Sequence, residues 1–343
     1  MRVLHVDTGR EWRGGQAQLA HLAEEVGLGI VVPPGAPLEE VARKRGIPVW
    51  TQRMTGPLAA FRLRRLAARV GSDAIAAHTS RAHGLALLAG RPVIVHRRVD
   101  FRPSQLSRLK YARARGYVAV SAAVADILAT AGVPAERIVV VRDGVPAESL
   151  TAATLPLSRP WVLAVGALVP HKGHRVLVDA MPQLPGIHVA IAGEGPLRAA
   201  LLERARELGV AHRLCLLGWR PDARALMSDA DAVVHPSVEE GLGQCVIEAL
   251  WSGVPVVATR AGGVPEVVRE GGQLVRPGDP SALAEAIRDV IGAPAPWRAR
   301  AAAARPRLEQ DFSLAAMRRG TLDAYRRLLR STSADGDDTR GRP

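Results

Sequence analysis

Two doubly wound α/β domains are what this sequence predicts, on three observations. Short β-branched runs alternate with amphipathic helical stretches along most of the chain. The strand candidates are almost continuously apolar, as strands of parallel sheets covered on both faces must be. And 343 residues exceed one ordinary core, but suit two domains of roughly 150 residues each.

The first series of strands reads Val3–Val6, Ile30–Val32, Ala74–Ala77, Val93–Val95, Tyr117–Val120 and Ile138–Val141. Helical stretches such as Gln16–Val26, Pro57–Val70 and Ala122–Ala131 separate them. A second series follows at Trp161–Val165, His188–Ala192, Leu214–Leu217, Ala232–His235 and Val256–Thr259. Between the two, Ala147–Pro160 lacks periodicity and is punctuated by Pro146, Pro156 and Pro160, so the boundary belongs there. The expected domains are 1–152 and 153–311. A helix in 312–330, at about Ser313–Leu329, is expected to return to the first domain. The polar, Gly- and Asp-rich tail 331–343 is expected to be disordered. Open parallel sheets bind ligands beyond the carboxyl ends of their strands, so facing domains would hold a ligand in the cleft between them.

Composition excludes several function classes. There is no apolar run of about 20 residues to span a membrane. The N-terminus reads as a first strand rather than a signal peptide, because Asp7, Arg10 and Glu11 interrupt it. Two cysteines, Cys215 and Cys245, give neither a disulfide framework nor a metal cluster, and the expected setting is the reducing cytoplasm. The net charge of +13 is uneven: residues 1–150 hold 22 Lys and Arg against 12 Asp and Glu. Seven basic residues fall in Arg97–Arg115. That segment reads either as a solvated Arg-rich face or as one that meets anionic lipid headgroups or a phosphorylated glycan. With 3% aromatics and no base-reading motif, nucleic acid is not the expected partner.

The most informative stretch is Pro236–Leu250, PSVEEGLGQCVIEAL. A strand ends, the chain turns at Gly241 and Gly243, and a helix starts near Gln244. Glycines let backbone approach a ligand, and the first amides of a helix form an anion site. Glu240 precedes the turn and Glu248 lies about one turn into the helix, so both can face one ligand. Carboxylates accept hydrogen bonds from sugar hydroxyls, which suits a polyhydroxylated molecule. Two glutamates eight residues apart occur on many surface helices; the setting distinguishes this pair.

In that setting the sequence resembles the retaining glycosyltransferases of family 4, which carry a Glu-x7-Glu pattern here. The resemblance continues through Ser252–Thr259 and Gly262–Val268, and covers the whole C-terminal half. It implies the GT-B fold, two Rossmann-like domains, with an N-terminal acceptor side and a C-terminal nucleotide-sugar side. By resemblance, Glu240 would bind hydroxyls of the transferred sugar and Glu248 the ribose. Amides near Gly241, Leu242, Gly243 and Gln244 would meet the sugar or diphosphate. Gly193, in the strand-end turn Ile191–Pro196, and Gly218 and Trp219, in the loop flanking the nucleobase, match further family positions. So do Val120-Ser121 and Asp143-Gly144-Val145 in the N-terminal half. In Gly166-Ala167-Leu168-Val169-Pro170-His171-Lys172, Lys172 matches the cation that neutralises the donor diphosphate. Ala167 stands where the family has an arginine. Either His171 or an arginine of the N-terminal domain would have to substitute.

Gly14 and Gly15, after the first strand, resemble the family's glycine pair and would present amides to a phosphate or the acceptor. The family often has a histidine after the strand at Val93–Val95, near the reacting sugar. Counting from Pro92 puts Arg98 rather than His96 nearest that place, and the choice stays open. His78 and His83 flank another strand end. The implied reaction is retaining and metal-independent, with a nucleotide-sugar as co-substrate and no other cofactor. The acceptor would be a glycan, a lipid-linked or a small molecule, in cell-envelope or lipopolysaccharide synthesis. The expected place is the cytoplasm or the inner face of the membrane. The alternatives are a catalytically impaired glycan-binding relative and a GT-B enzyme such as a sugar-nucleotide epimerase.

Overall fold

The computed structural model describes residues 1–101, 108–148 and 153–330; the expected tail 331–343 lies outside them. The chain divides into two compact units, Met1–Gly144 with the segment from Leu314 onward, and Val145–Ser313. The division therefore falls at Gly144/Val145, ahead of the proline-punctuated stretch where loss of periodicity had suggested it.

The first unit is built on seven strands: β1 Val3–Val6, β2 Gly29–Val32, β3 Val49–Thr51, β4 Ala74–Ala77, β5 Val93–Arg97, β6 Gly116–Ala119 and β7 Ile138–Val140. Their spatial order is β3-β2-β1-β4-β5-β6-β7, and every pairing is parallel. The second unit has six: β8 Trp161–Val165, β9 His188–Ala192, β10 Leu214–Gly218, β11 Ala232–His235, β12 Val256–Thr259 and β13 Gly272–Val275. These run β10-β9-β8-β11-β12-β13, again all parallel. Both sheets are the expected doubly wound type. The sequence reading missed only β3 and β13. Each is an edge strand, only partly buried, and so lacks the apolar run that marks a covered strand.

Each unit has its own core. In the second, Val162, Ala164, Ile191, Val234 and Val257 pack under helical Leu177, Leu201 and Ile287. In the first, Val3, Ala74, Ile94 and Val118 pack against Met317, Tyr325 and Leu328 of the last helix, Leu314–Arg330. That helix lies flush on the sheet because Gly116 leaves room for it: a Cβ there would sit 2.5 Å from Leu328 Cδ2. Strand order reverses direction at β1/β4 and at β8/β11. At such points the flanking crossovers diverge and open a crevice at the strands' carboxyl ends.

Candidate functional site

In the second unit the chemistry gathers at this reversal. β8 and β11 pair in register, Ala232 beside Val162, although far apart in sequence. The loop after β8 ends in the turn Pro170–Lys172, and the loop after β11 is bound to it. The carbonyl of His171 accepts from the amides of Val238 (2.8 Å) and Glu239 (3.4 Å). Gly173 follows with φ +67°, and a Cβ on it would lie 1.9 Å from the Pro236 carbonyl oxygen. Only glycine allows so close an approach.

This clasp brings Lys172 Nζ to 2.5 Å from Glu240 Oε2. The same oxygen is 3.0 Å from His235 Nε2, a charge-to-charge contact rather than a well-aligned hydrogen bond. Ser237 Oγ donates to it at 3.4 Å. Behind His235, Cys245 Sγ lies 3.1 Å from Nδ1. Burial works against the charged form of Glu240, but His235 and Lys172 outweigh it and hold the carboxyl far below its ordinary range. Burial likewise opposes a charged His235, yet the sulfur of Cys245 and the carboxylate of Glu240 raise it to about 9.

Helix Gln244–Trp251 starts beside this cluster, entered through Gly243 at φ +92°, and no side chain caps it. An uncapped first turn favours an anion. Glu248, the fifth helix residue, accepts from Gln244 Nε2 at 3.2 Å. Burial pushes its carboxyl up to about 7, with Arg224 and Gln244 pulling the other way. The ends of β8, β9 and β10 come together through glycines: Gly193 donates to the Gly218 carbonyl at 2.8 Å, and a Cβ on Gly193 would lie 1.9 Å from the Gly166 carbonyl oxygen. Trp219 is exposed beyond them.

The structure thus brings Lys172, Glu240, Gly241, Leu242, Gly243, Gln244 and Glu248 to one strand-end region. His171 is exposed, and its recorded contact there is through its backbone. His235, whose role sequence reasoning missed, is the closing residue of β11. A lone histidine at the end of an apolar strand was the available signal. Among the described residues no group of three His, Cys, Asp or Glu could hold a metal ion.

The first unit has a histidine cluster at its own reversal. His5 on β1 and His78 after β4 lie 2.9 Å apart, Nδ1 to Nε2. His5 Nε2 is 2.8 Å from the Val26 carbonyl, and His78 Nδ1 is 3.0 Å from Arg98 Nη1. A carbonyl only accepts and a guanidinium only donates, so the direction of the chain is set. Arg98 donates to His78, His78 to His5 and His5 to Val26, with both rings neutral. Burial and the charge of Arg98 agree, lowering His5 to about 4 and His78 well below its ordinary value.

Arg98 is further held by Asp143, Nε to Oδ1 at 3.0 Å, and its Cδ lies near Gly15. Its charge is therefore already balanced inside this unit, which counts against it as the substitute for the missing arginine. His96 is turned inward, stacked on His78 (4.4 Å between ring centres) and 2.6 Å from the hydroxyl of Tyr325. His83, in helix Ser80–Leu87, is buried edge-on against Tyr111 and Tyr117. Nor is Arg97–Arg115 one solvated face. Arg97 is buried and donates to the Tyr111 hydroxyl and the Phe101 carbonyl, and Arg115 donates to the Leu328 carbonyl at 2.8 Å. Arg102 and the side chain of Arg108 lie outside the described residues.

Comparison with known proteins points one way. Residues 19–149 match the family model described as Glycosyltransferase Family 4, and 159–292 the one described as Glycosyl transferases group 1. The chain is 35% identical over 138 residues to the lipopolysaccharide core biosynthesis glycosyltransferase LpsE of Rhizobium meliloti, covering 40% of this chain and 41% of that one. It is 36% identical over 199 residues to glycogen synthase of Mycobacterium tuberculosis strain H37Rv, covering 55% and 48%. The matches thus span under half the length of these two relatives. In structure it is similar to Anabaena HepE crystallised with UDP and glucose: TM-score 0.86, 24% identity, covering 95% of this chain and 99% of that one.

Proposed function

The chain belongs to the family 4 glycosyltransferases, and from that premise we propose that it moves a sugar from a nucleotide-sugar donor to a glycan, lipid-linked or small-molecule acceptor, with retention and without a metal. The observation that carries this reading is the Lys172–Glu240–His235 cluster beside the uncapped start of helix Gln244–Trp251. In this reading Lys172 and the helix amides stabilise the leaving diphosphate where its charge develops. Glu240 accepts hydroxyl hydrogens of the sugar, and Glu248, raised to about 7 by burial, accepts from or donates to the ribose hydroxyls. The bond from the anomeric carbon to the phosphate breaks, the acceptor oxygen attacks on the same face, and the acceptor's proton passes to the leaving phosphate. The Gly14-Gly15 amides are assigned to the acceptor or a phosphate, and Arg98, whose Cδ lies near Gly15, to the reacting sugar.

Thermal unfolding with UDP-, GDP-, ADP- and TDP-sugars tests the donor site, since a ligand bound only to the folded state raises Tm with occupancy. One nucleotide class should raise Tm in the native chain and leave Glu248→Ala unmoved. No shift with any of the four would defeat the reading and favour an impaired relative.

A second reading places the acceptor at an anionic membrane surface, in line with a lipopolysaccharide role like that named for LpsE. No helix of the described residues is long and apolar enough to cross a membrane, so contact would be peripheral. A cleft of about 290 Å³ lined by Leu87, Leu88, Arg91, Pro92, Val93, Arg113 and Arg115 favours it, and Leu88 and Leu109 are exposed on the same unit. Arginines beside apolar side chains suit a lipid phosphate. Sedimentation with phosphatidylglycerol vesicles should exceed that with phosphatidylcholine, and Arg91→Glu with Arg113→Glu should abolish the difference. Equal sedimentation with both vesicles ends this reading.

A further inference from the structure

The carboxylate of Glu240 is only 13% exposed and has two basic side chains on a single oxygen, Lys172 at 2.5 Å and His235 at 3.0 Å. One cation is enough to keep a buried carboxylate charged, and stripping it of every partner would strand the charge. The two are not equivalent. Lys172 is 24% exposed, on a flexible four-carbon stem in a loop. His235 is 3% exposed, fixed at the end of β11, with its second ring nitrogen against Cys245. Lys172 is therefore the member free to move. It is also the cation the donor needs, since Ala167 leaves that loop without the second charge a diphosphate would meet.

We propose that His235 is a positioning residue: held as an imidazolium between Cys245 and Glu240, it is the standing counter-ion of Glu240 and releases Lys172 for the donor's diphosphate. This rests on the donor-site reading above. The charged and titratable groups facing His235 are Glu240 from the loop after β11, Cys245 from helix Gln244–Trp251, and Lys172 and His174 from the segment after β8. His174 is buried and lowered to about 4, so it adds no charge near neutrality. The Thr259 hydroxyl, from β12, donates to the His235 carbonyl at 3.4 Å and to the Ser237 carbonyl, fixing the backbone on which the ring is mounted. With the ring charged, departure of Lys172 leaves the carboxylate paired. With the ring neutral, Lys172 still pairs with Glu240, and the donor must compete with that carboxylate for it.

Two measurements test this together. Imidazole 15N spectra of the histidine-labelled chain, assigned with His235→Gln, read the ring's protonation. Calorimetric titration with UDP, GDP, ADP and TDP, near neutrality and at about pH 10, reads affinity. The expected result is a ring with both nitrogens protonated near neutrality, losing a proton around the value given above. Affinity for the diphosphate that binds should fall about tenfold across that range in the native chain. His235→Gln should already be weakened near neutrality and lack the alkaline fall, while Cys245→Ser should shift the fall to lower pH. Should His235→Gln not fold, the native and Cys245→Ser profiles with the spectra carry the test. A neutral ring near neutrality overturns the inference, as does a His235→Gln chain with native affinity and the native alkaline fall. A charged ring in a chain that binds none of the four diphosphates defeats the donor-site reading itself, and with it the purpose assigned here.

Discussion

The two units place buried histidines at the same topological point and shift their titration in opposite directions. At the β1/β4 reversal, His5 and His78 are neutral, linked in a one-way hydrogen-bond chain between Arg98 and a carbonyl. At the β8/β11 reversal, His235 is raised to about 9. Burial disfavours the charged form in both places and cannot explain the difference. The neighbours explain it: a guanidinium faces one cluster and a carboxylate with a sulfur faces the other. Strand topology thus delivers imidazoles to the strand ends, and the residue opposite decides what they can do there. The first cluster can hold Arg98 in place. The second can balance the buried carboxylate of Glu240.

The sharpest way to break this comparison is to remove the guanidinium. Arg98→Met leaves Asp143, 14% exposed, without its ion-pair partner, and should cost about 3 kcal/mol of stability by denaturant unfolding. His78 should then titrate higher, though short of its ordinary value, because burial remains its first cause of depression. A loss under about 1 kcal/mol would mean that Asp143 finds another partner and that the cluster is not organised around Arg98.

A second effect is expected from pH alone, and its sign differs between the units. His235 titrates higher folded (about 9) than unfolded (6.5). Its contribution is fully present below about pH 6.5 and lost as pH rises through about 9. His5 titrates lower folded (about 4) than unfolded, so its contribution is present above about pH 6.5 and lost as pH falls through about 4. Tm should therefore fall on the alkaline side in the native chain and stay nearly level there in His235→Gln. Identical alkaline slopes in both would remove His235 from the account.

Much of the fold was legible because covered parallel strands declare themselves as apolar runs. Val3–Val6, Ala74–Ala77, Trp161–Val165, His188–Ala192, Ala232–His235 and Val256–Thr259 stand where their residues put them. The edge strands at Val49–Thr51 and Gly272–Val275 were silent because half-exposed strands need no such run. In the candidate site, Glu240, Glu248 and Lys172 could be named only through the resemblance to family 4, since two glutamates eight residues apart are weak evidence alone. Asp143 could not be given its role, since its ion pair with Arg98, 45 residues away, leaves no local mark; His235 could not because its titration depends on burial and on how the loop after β11 folds back onto it. Arg97–Arg115 was misleading for the same reason: charge is visible in a sequence, but burial of a guanidinium against Tyr111 and Phe101 is not.

By itself the sequence determined the two alternating series, the glycine turn that opens helix Gln244–Trp251, and the placing of Glu240 before that turn and Glu248 in the helix. These follow from local geometry, in which residue type and spacing dictate backbone conformation. Only the tertiary structure decided that Lys172 meets Glu240, and that His235 titrates above its ordinary value while His5 titrates below it. Parallel pairing sets β8 beside β11 across a long separation in sequence, and a titratable group takes its charge from whatever the fold places within a few ångströms of it.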